Sequence, residues 1–309
     1  MNGNTSNALI LAASSLLTTC FAAELAGAQT AAEYQQAMEQ WHSEREARLK
    51  GPDGWLNLAG LYWLEPGINT FGSAANNDIV LDEELAAARL GAFMLEDGDV
   101  TFRAEPGTEI LSVGEPVTEL QLVHDEAGEP TLLTHRSLGF YAIGRMERMG
   151  VRLRDYEHPF LEQFPGIESY PADLEWRVEA TFVPYDEPRQ LQVMTVVEGL
   201  GWDPIAPGIL EFEIGGEPKS LEAYGADDGF FIIFADLTTG EATYPAGRYL
   251  NAELPGPDGT TILDFNKAYN PPCVFNEFAT CPLPTRRNYL QVPVEAGEKY
   301  RKGLHALGI

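Results

Sequence analysis

The residues best suited to chemistry lie in the last third of the chain. A carboxylate follows an apolar run, an arginine follows a glycine, and a second carboxylate precedes two asparagines. Charged groups at strand ends beside a rigid loop are typical of a small polar-ligand site. They are equally typical of a buried ion pair that holds a loop, and the sequence leaves both interpretations open. The predicted ligand-binding residues are Asp236, Arg248, Asp264, Asn266 and Asn270.

Two cysteines, Cys273 and Cys281, enclose seven residues within a proline-rich loop at 266–288. In an exported protein, an isolated cysteine pair is first interpreted as a disulfide. The alternatives are a redox-active pair or Cys273 as a nucleophile, which would need a neighbouring cation or helix end. The sequence favours the disulfide and leaves both alternatives open.

No familiar catalytic motif is present, so the catalytic residues stay unknown. The chain contains no G-x-S-x-G, H-E-x-x-H, Walker A or G-x-G-x-x-G pattern. The pair His135 and Ser137 shares a strand face but has no third orienting group. The other histidines, at 42, 124, 158 and 305, are interpreted as surface or packing residues. We predict no metal site and no cofactor.

The formal net charge of −27 limits the classes of partner. Such a chain repels phosphate backbones and anionic lipid surfaces, which argues against nucleic-acid and membrane-surface binding. We predict that a small molecule is a possible partner, and the oligomeric state stays open. We predict no membrane span, because the longest apolar run is too short.

The first 28 residues have the pattern of a signal peptide. Residues 8–20 are apolar, and Ala26-Gly27-Ala28 is a small-residue cleavage site. We therefore predict a periplasmic or secreted protein. The alternative is a lipoprotein anchored at Cys20, although Thr19 fits that motif poorly.

The remaining pattern predicts a mainly β fold, with antiparallel sandwich or barrel units after an N-terminal helix. A capping box at Thr30 and Glu33 starts the helix, with Tyr34, Ala37, Met38 and Trp41 on its apolar face. Alternating apolar residues at 176–182 and 210–214 predict strands, and the apolar run 230–234 predicts a central strand. The acidic stretch at 125–130 is either a domain boundary or a hairpin loop. The predicted domains are a helix at 29–53, a small β unit at 54–125 and a main β domain at 126–309.

Two stretches carry a family resemblance. They are the run GWLNLAGLYWL at 54–64 and the series DFNKAYNPPC, ATCPLP and AGEK between 264 and 299. With them, the chain resembles the bacterial domain-of-unknown-function family numbered sixteen-eighty-four, from about residue 40 onward. The region 69–98 also resembles the forkhead-associated β-sandwich, without the residues that read phosphate.

The resemblance implies no particular activity. The best functional hypothesis is a small-ligand-binding or structural β module. The alternative is a periplasmic hydrolase that uses Asp236, Asp264 and Cys273.

Overall fold

The computed structural model of the protein describes residues 30–226 and 228–304. In this part of the chain the fold is mainly β, in mostly antiparallel sheets that follow one long helix, which confirms the predicted fold class. The predicted signal peptide at 1–28, the lipidation alternative at Cys20 and His305 lie outside the described residues. No helix within the described ranges is long and apolar enough to cross a membrane.

Helix α1 (Ala31–Lys50) begins at the predicted capping box. The Thr30 hydroxyl accepts a hydrogen bond from the Glu33 backbone N (3.3 Å), and the Glu33 carboxylate accepts one from the Thr30 backbone N (2.9 Å). These bonds satisfy amide donors that the start of a helix leaves free. Gly51 follows the last turn and ends the helix.

The helix buries only a narrow stripe. Tyr34 and Met38 are buried as the spacing predicts. Leu49, in the last turn of the helix, is buried as well. Ala37 is exposed and Trp41 is only half-buried, although both were expected on the packing face. The helix lies along the protein surface and touches it on one line, so residues beside that line stay accessible.

Residues 58–155 form a two-sheet β-sandwich. Its strands are β1 (Leu58–Trp63), β2 (Gly67–Gly72), β3 (Ile79–Val80), β4 (Gly91–Glu96), β5 (Asp99–Ala104), β6 (Leu111–Ser112), β7 (Glu115–Pro116), β8 (Glu119–Leu122), β9 (Leu133–His135), β10 (Leu138–Arg145) and β11 (Arg148–Asp155). One sheet has the order β1-β11-β10-β9-β6-β7 and the other has the order β3-β2-β4-β5-β8. Phe71, Phe93, Phe102 and Phe140 contact one another in the core between the sheets.

The last three strands of this sandwich, β9, β10 and β11, follow residue 126, where the sequence predicts the start of the main β domain. β11 pairs with β1 and with β10, and Val151 and Leu153 pack into the phenylalanine core. The acidic stretch at 125–130 lies in the connection between β8 and β9. The first core therefore extends to Asp155, beyond the boundary that composition indicates. The likeness to the forkhead-associated sandwich stays a prediction.

The second unit is a six-stranded, nearly closed barrel-like sheet followed by the proline-rich loop. Its strands are β12 (Arg177–Gln190), β15 (Ile205–Ile214), β16 (Glu217–Ala226), β17 (Gly229–Phe234), β18 (Arg248–Glu253) and β19 (Thr260–Asp264), and the short strands β13 (Val193–Met194) and β14 (Gly201–Trp202) pair separately. The sheet order is β18-β17-β16-β15-β12-β19. β17 is central and buried, and Leu210 and Phe212 point inward from β15, as their patterns predict.

Gly297 allows the C-terminal segment to pass close to the loop after β19. Its φ is +76°, and a Cβ at this position would overlap the backbone oxygen of Ala268. Gly259 has a similar φ of +81°, but no atom lies within 4 Å of the position that its Cβ would take. The two glycines separate backbone strain from steric overlap.

We predict that Gly297→Ala lowers the free energy of unfolding by about 3 kcal/mol, because strain and overlap add. The matched control Gly259→Ala should cost about 1 kcal/mol, from the positive φ alone. Urea denaturation followed by tryptophan fluorescence measures both values. Equal losses in the two variants would contradict this account of the crossing.

Candidate functional site

Asp236 and Arg248 form an ion pair inside the barrel unit. Arg248 Nη2 lies 2.8 Å from Asp236 Oδ2, and neither side chain is more than 1% exposed. The other carboxylate oxygen accepts hydrogen bonds from the backbone N and hydroxyl of Thr238 and from Val294 N. Arg248 also donates to the carbonyl oxygens of Val294 and Ala296. The pair therefore fastens β18 to the C-terminal segment.

Asp264 and Asn266 hold helix α1 in place. The Tyr34 hydroxyl donates to Asp264 Oδ1 (2.6 Å), and Asn266 Nδ2 donates to the Tyr34 oxygen (2.9 Å) and to Asp173 O (2.8 Å). Burial, together with the Asp264 carboxylate, raises the pKa of Tyr34 well above its ordinary value. The hydroxyl consequently stays protonated and keeps donating to Asp264. These bonds join the start of the helix to the end of β19.

Asn270 belongs to a second helix anchor. Its backbone N donates to Glu298 Oε2 (2.7 Å), and its side-chain amide donates to Lys299 O (2.8 Å). Arg45 Nε lies 3.1 Å from Glu298 Oε1, and Arg45 Nη2 donates to Asn270 O (3.0 Å). Complete burial raises the pKa of Glu298, and the charge of Arg45 acts in the opposite direction.

The five predicted ligand-binding residues thus fall into three separate networks. Asp236 pairs with Arg248, Asp264 pairs with Asn266, and Asn270 joins Glu298. In these contacts they act as the polar bonds that hold a loop, which is one of the two interpretations that the sequence allows. Asp264 and Asn270 also border surface pockets of about 490 and 290 Å³. Their role as ligand-binding residues stays a prediction.

Cys273 and Cys281 are free thiols in the structure. The disulfide that the sequence favours stays a prediction. The backbone N of Cys273 donates to Cys281 Sγ (3.1 Å), which places the two residues side by side. Cys273 is half-buried, whereas Cys281 is 4% exposed. The redox-active alternative also stays a prediction, and the two residues are adjacent as either interpretation requires.

A groove of about 570 Å³ lies between the second half of α1, the loop that follows it and β18. We call it the helix groove. Trp55, from the GWLNLAGLYWL run, and Tyr269, from the DFNKAYNPPC series, both line it. The two stretches that carry the family resemblance therefore meet at one surface site. The side chains that line the helix groove and are used below are Trp41, Arg45, Arg48, Trp55, Asn251 and Tyr269.

Arginine side chains lie against the aromatic rings of the helix groove. The guanidinium of Arg45 lies 4.8 Å from the centre of the Tyr269 ring, and that of Arg152 lies 5.6 Å from the Trp55 ring. Such contacts are favourable when the cation is partly desolvated. Arg48 is exposed at the groove and forms no ion pair within the described part of the chain.

Arg152 is a buried arginine for which the described residues provide no ion-pair partner. It lies on β11 on the face opposite the phenylalanine core and is 4% exposed. Its Nε has no hydrogen-bond partner, and no carboxylate among the described residues lies within ion-pair distance. Burial lowers its pKa, and the nearby Tyr141 acts in the opposite direction. Buried charges in proteins are normally paired, and this guanidinium has no such partner among the described residues.

The sequence contains weak signals for this groove. Trp41, Arg45 and Arg48 are spaced by four and three residues, which places them on one side of a helix. The spacing cannot show that this side faces a groove, because the other walls come from loops far along the chain. Among the described residues, no group of three or more His, Cys, Asp or Glu is arranged to hold a metal ion.

Comparison with known proteins confirms the family resemblance over part of the chain. Residues 162–299 match the family described as "Protein of unknown function (DUF1684)". The chain is also similar to an uncharacterized protein from Haloarcula marismortui whose structure was determined by solution NMR. The two are 32% identical over 45% of this chain and 78% of that chain, with a TM-score of 0.37, which is too low to support an argument about the fold. No curated protein matches the chain.

We predict that Asp236→Ala lowers the free energy of unfolding by about 3–5 kcal/mol, because it leaves the Arg248 guanidinium buried without a counter-ion. Asp186→Ala removes an exposed carboxylate from the same unit and should change stability by less than about 0.5 kcal/mol. Combining Asp236→Ala with Arg248→Met should regain part of the loss. Chemical denaturation measures all three. Equal stability of the two single variants would show that the pair does not hold β18.

Proposed function

We propose that the protein binds a small molecule with an aromatic or apolar body and a negatively charged group in the helix groove. The supporting observation is that three aromatic side chains, the exposed Arg48 and the ion-paired Arg45 line one opening to solvent. Aromatic rings offer contact area to the body of a ligand. Guanidinium groups bind carboxylates and phosphates with two parallel hydrogen bonds. The groove volume is typical of small-molecule sites.

The charge of the chain supports an anionic ligand. A net charge of −27 repels anions over most of the surface. The helix groove differs, because Arg45 and Arg48 line it together with a single carboxylate, Asp53. Arg45 is already paired with Glu298, whereas Arg48 is exposed and has no ion-pair partner among the described residues. The negative group of the ligand would therefore lie at Arg48, and the ligand body between Trp41, Trp55 and Tyr269.

The hydrolase hypothesis ranks second. The Asp236 carboxylate is fully buried and paired with Arg248. It therefore does not face a site where a water molecule from solvent could be activated. Asp264 borders a pocket beside Arg177 and Lys267, and it is the carboxylate on which hydrolysis would depend. A screen with model esters, using Asp264→Asn as control, tests this reaction. Turnover that the substitution abolishes would establish the enzyme over the binding module.

We also propose export from the cytoplasm, on the strength of residues 1–28. Helix α1 starts at Ala31 with its cap at Thr30, so cleavage after Ala28 would leave the capping box complete. We expect the mature protein to begin at Gln29 and to be released with the periplasmic or secreted fraction. N-terminal sequencing or intact mass measures this. An unprocessed chain in the cytoplasmic fraction would contradict export, and an acylated Cys20 would instead establish the lipoprotein.

We predict that phenylacetate binds measurably more tightly than its neutral amide, phenylacetamide, in isothermal titration calorimetry. Arg48→Gln should weaken phenylacetate binding about three- to tenfold, because it removes the exposed charge at the groove, and leave phenylacetamide unaffected. The matched control Arg286→Gln removes an exposed charge elsewhere and should change neither. Equal binding of acid and amide, or no binding of either, would argue against an anion site.

Arg152→Met separates a ligand-directed charge from a structural one. Replacing an unpaired buried charge by an apolar side chain of similar length should leave the melting temperature unchanged or higher. The same change should weaken phenylacetate binding, because it lowers the positive potential beside Trp55. A lower melting temperature with unchanged binding would mean that Arg152 serves only to pack against Trp55.

A further inference from the structure

We propose that Cys273 and Cys281 form a site of reversible oxidation, in which Cys273 reacts with a hydroperoxide and Cys281 then closes a disulfide with it. Nothing in this inference depends on the helix groove binding a ligand. It accounts for a pair of adjacent free thiols that the proposed binding function does not use.

The two cysteines lie side by side in the fold. The backbone N of Cys273 donates to Cys281 Sγ at 3.1 Å. Cys273 lies in a one-turn 3-10 helix (Pro272–Val274), and a disulfide would close a loop of only seven intervening residues. Asn276 within that loop donates its side-chain amide to Trp55 O (3.0 Å). This hydrogen bond fixes the loop, so the two cysteines stay adjacent without a covalent bond between them.

Burial assigns the two roles. Cys273 is half-buried and so reaches solvent, whereas Cys281 is 4% exposed within a cluster that includes Ile233 and Tyr249. A reagent from solution meets Cys273 first. Sensor cysteines are typically accessible and placed next to a second cysteine that resolves the oxidised form.

The surroundings of the thiols support the same roles. The neighbouring Cys281 lowers the pKa of Cys273, partial burial acts in the opposite direction, and the Tyr244 hydroxyl adds a smaller lowering. Burial raises the pKa of Cys281, and the neighbouring Cys273 adds to that increase. The thiolate is the nucleophile in such reactions, so Cys273 attacks while Cys281 keeps its proton.

The reaction balances in two steps. The Cys273 thiolate attacks the terminal oxygen of a hydroperoxide, the O–O bond breaks, and the products are Cys273 sulfenic acid and an alkoxide that takes a proton from solvent. The Cys281 sulfur then attacks the sulfenic sulfur, the S–O bond breaks, and the leaving hydroxide takes the Cys281 proton as water. Two thiols have lost two electrons, and the peroxide has been reduced to an alcohol and water. A dithiol reductant reverses the disulfide by exchange.

The test uses the full chain, reduced with dithiothreitol and then treated with tert-butyl hydroperoxide. Both cysteines lie in the tryptic peptide 268–286, which separates them from Cys20. We expect this peptide to become two hydrogen atoms lighter, to resist alkylation, and to recover two alkylatable thiols after dithiothreitol. Two thiols that stay alkylatable after peroxide would overturn the proposal, and so would a disulfide that dithiothreitol cannot reduce in the folded protein.

Two single substitutions test the order of the steps. Cys281→Ala should accumulate a sulfenic acid on Cys273 that dimedone labels, and Cys273→Ala should give at least tenfold less label on Cys281. The reverse distribution of label would overturn the assigned roles. Circular dichroism of each variant shows whether the fold is retained, and the wild-type mass shift tests the pair if either variant fails to fold.

Discussion

The ion pair between Arg45 and Glu298 is the contact on which the rest of the site depends. The Glu298 side chain is fully buried, and its two oxygens accept from Arg45 Nε and from Asn270 N. Breaking one half of such a pair costs about 3–5 kcal/mol, because the remaining charge has no counter-ion. The pair joins helix α1 to the family series near the C-terminus. It also sets the Arg45 guanidinium over the Tyr269 ring and so fixes two walls of the helix groove.

The polar residues of the protein divide according to how completely they are satisfied. Asp236, Arg248, Asp264 and Asn266 have partners within the chain, and their contacts tie the C-terminal segment and the helix to the barrel. Within residues 30–226 and 228–304, Arg152 has no counter-ion. A satisfied buried network specifies a fold, whereas an unsatisfied charge needs a partner from outside. We therefore propose that the arginines, and not the buried carboxylates, contact a ligand.

Local patterns in the sequence predict most of the elements but not how they meet. A few neighbouring residues are enough to predict three of these elements. They are the helix start at Thr30, the strand with Leu210 and Phe212, and the buried strand β17. Tyr34 and Asp264 are 230 residues apart, and no local pattern connects them. Trp41 has the spacing of a packing residue, yet it faces the groove, because the helix touches the protein along one line only.

Composition alone leaves open whether residues 125–130 are a domain boundary or a loop. The acidic stretch at 125–130 looks like a linker, but β9, β10 and β11 follow it and pair back toward β1. This return across the sheet brings Arg152 to Trp55. The proposed ligand site combines helix α1, the loop that follows it, a strand of the barrel unit and the loop at Tyr269, which lie far apart in the sequence.

The most direct test of the central claim is to locate an anionic aromatic ligand on the protein. Crystals soaked with 4-bromophenylacetate would reveal the bromine by its anomalous scattering. We predict one peak in the helix groove, among Trp41, Trp55 and Tyr269, with the carboxylate within hydrogen-bonding distance of Arg48. A bromine peak elsewhere, or no peak under conditions in which calorimetry shows binding, would contradict the account.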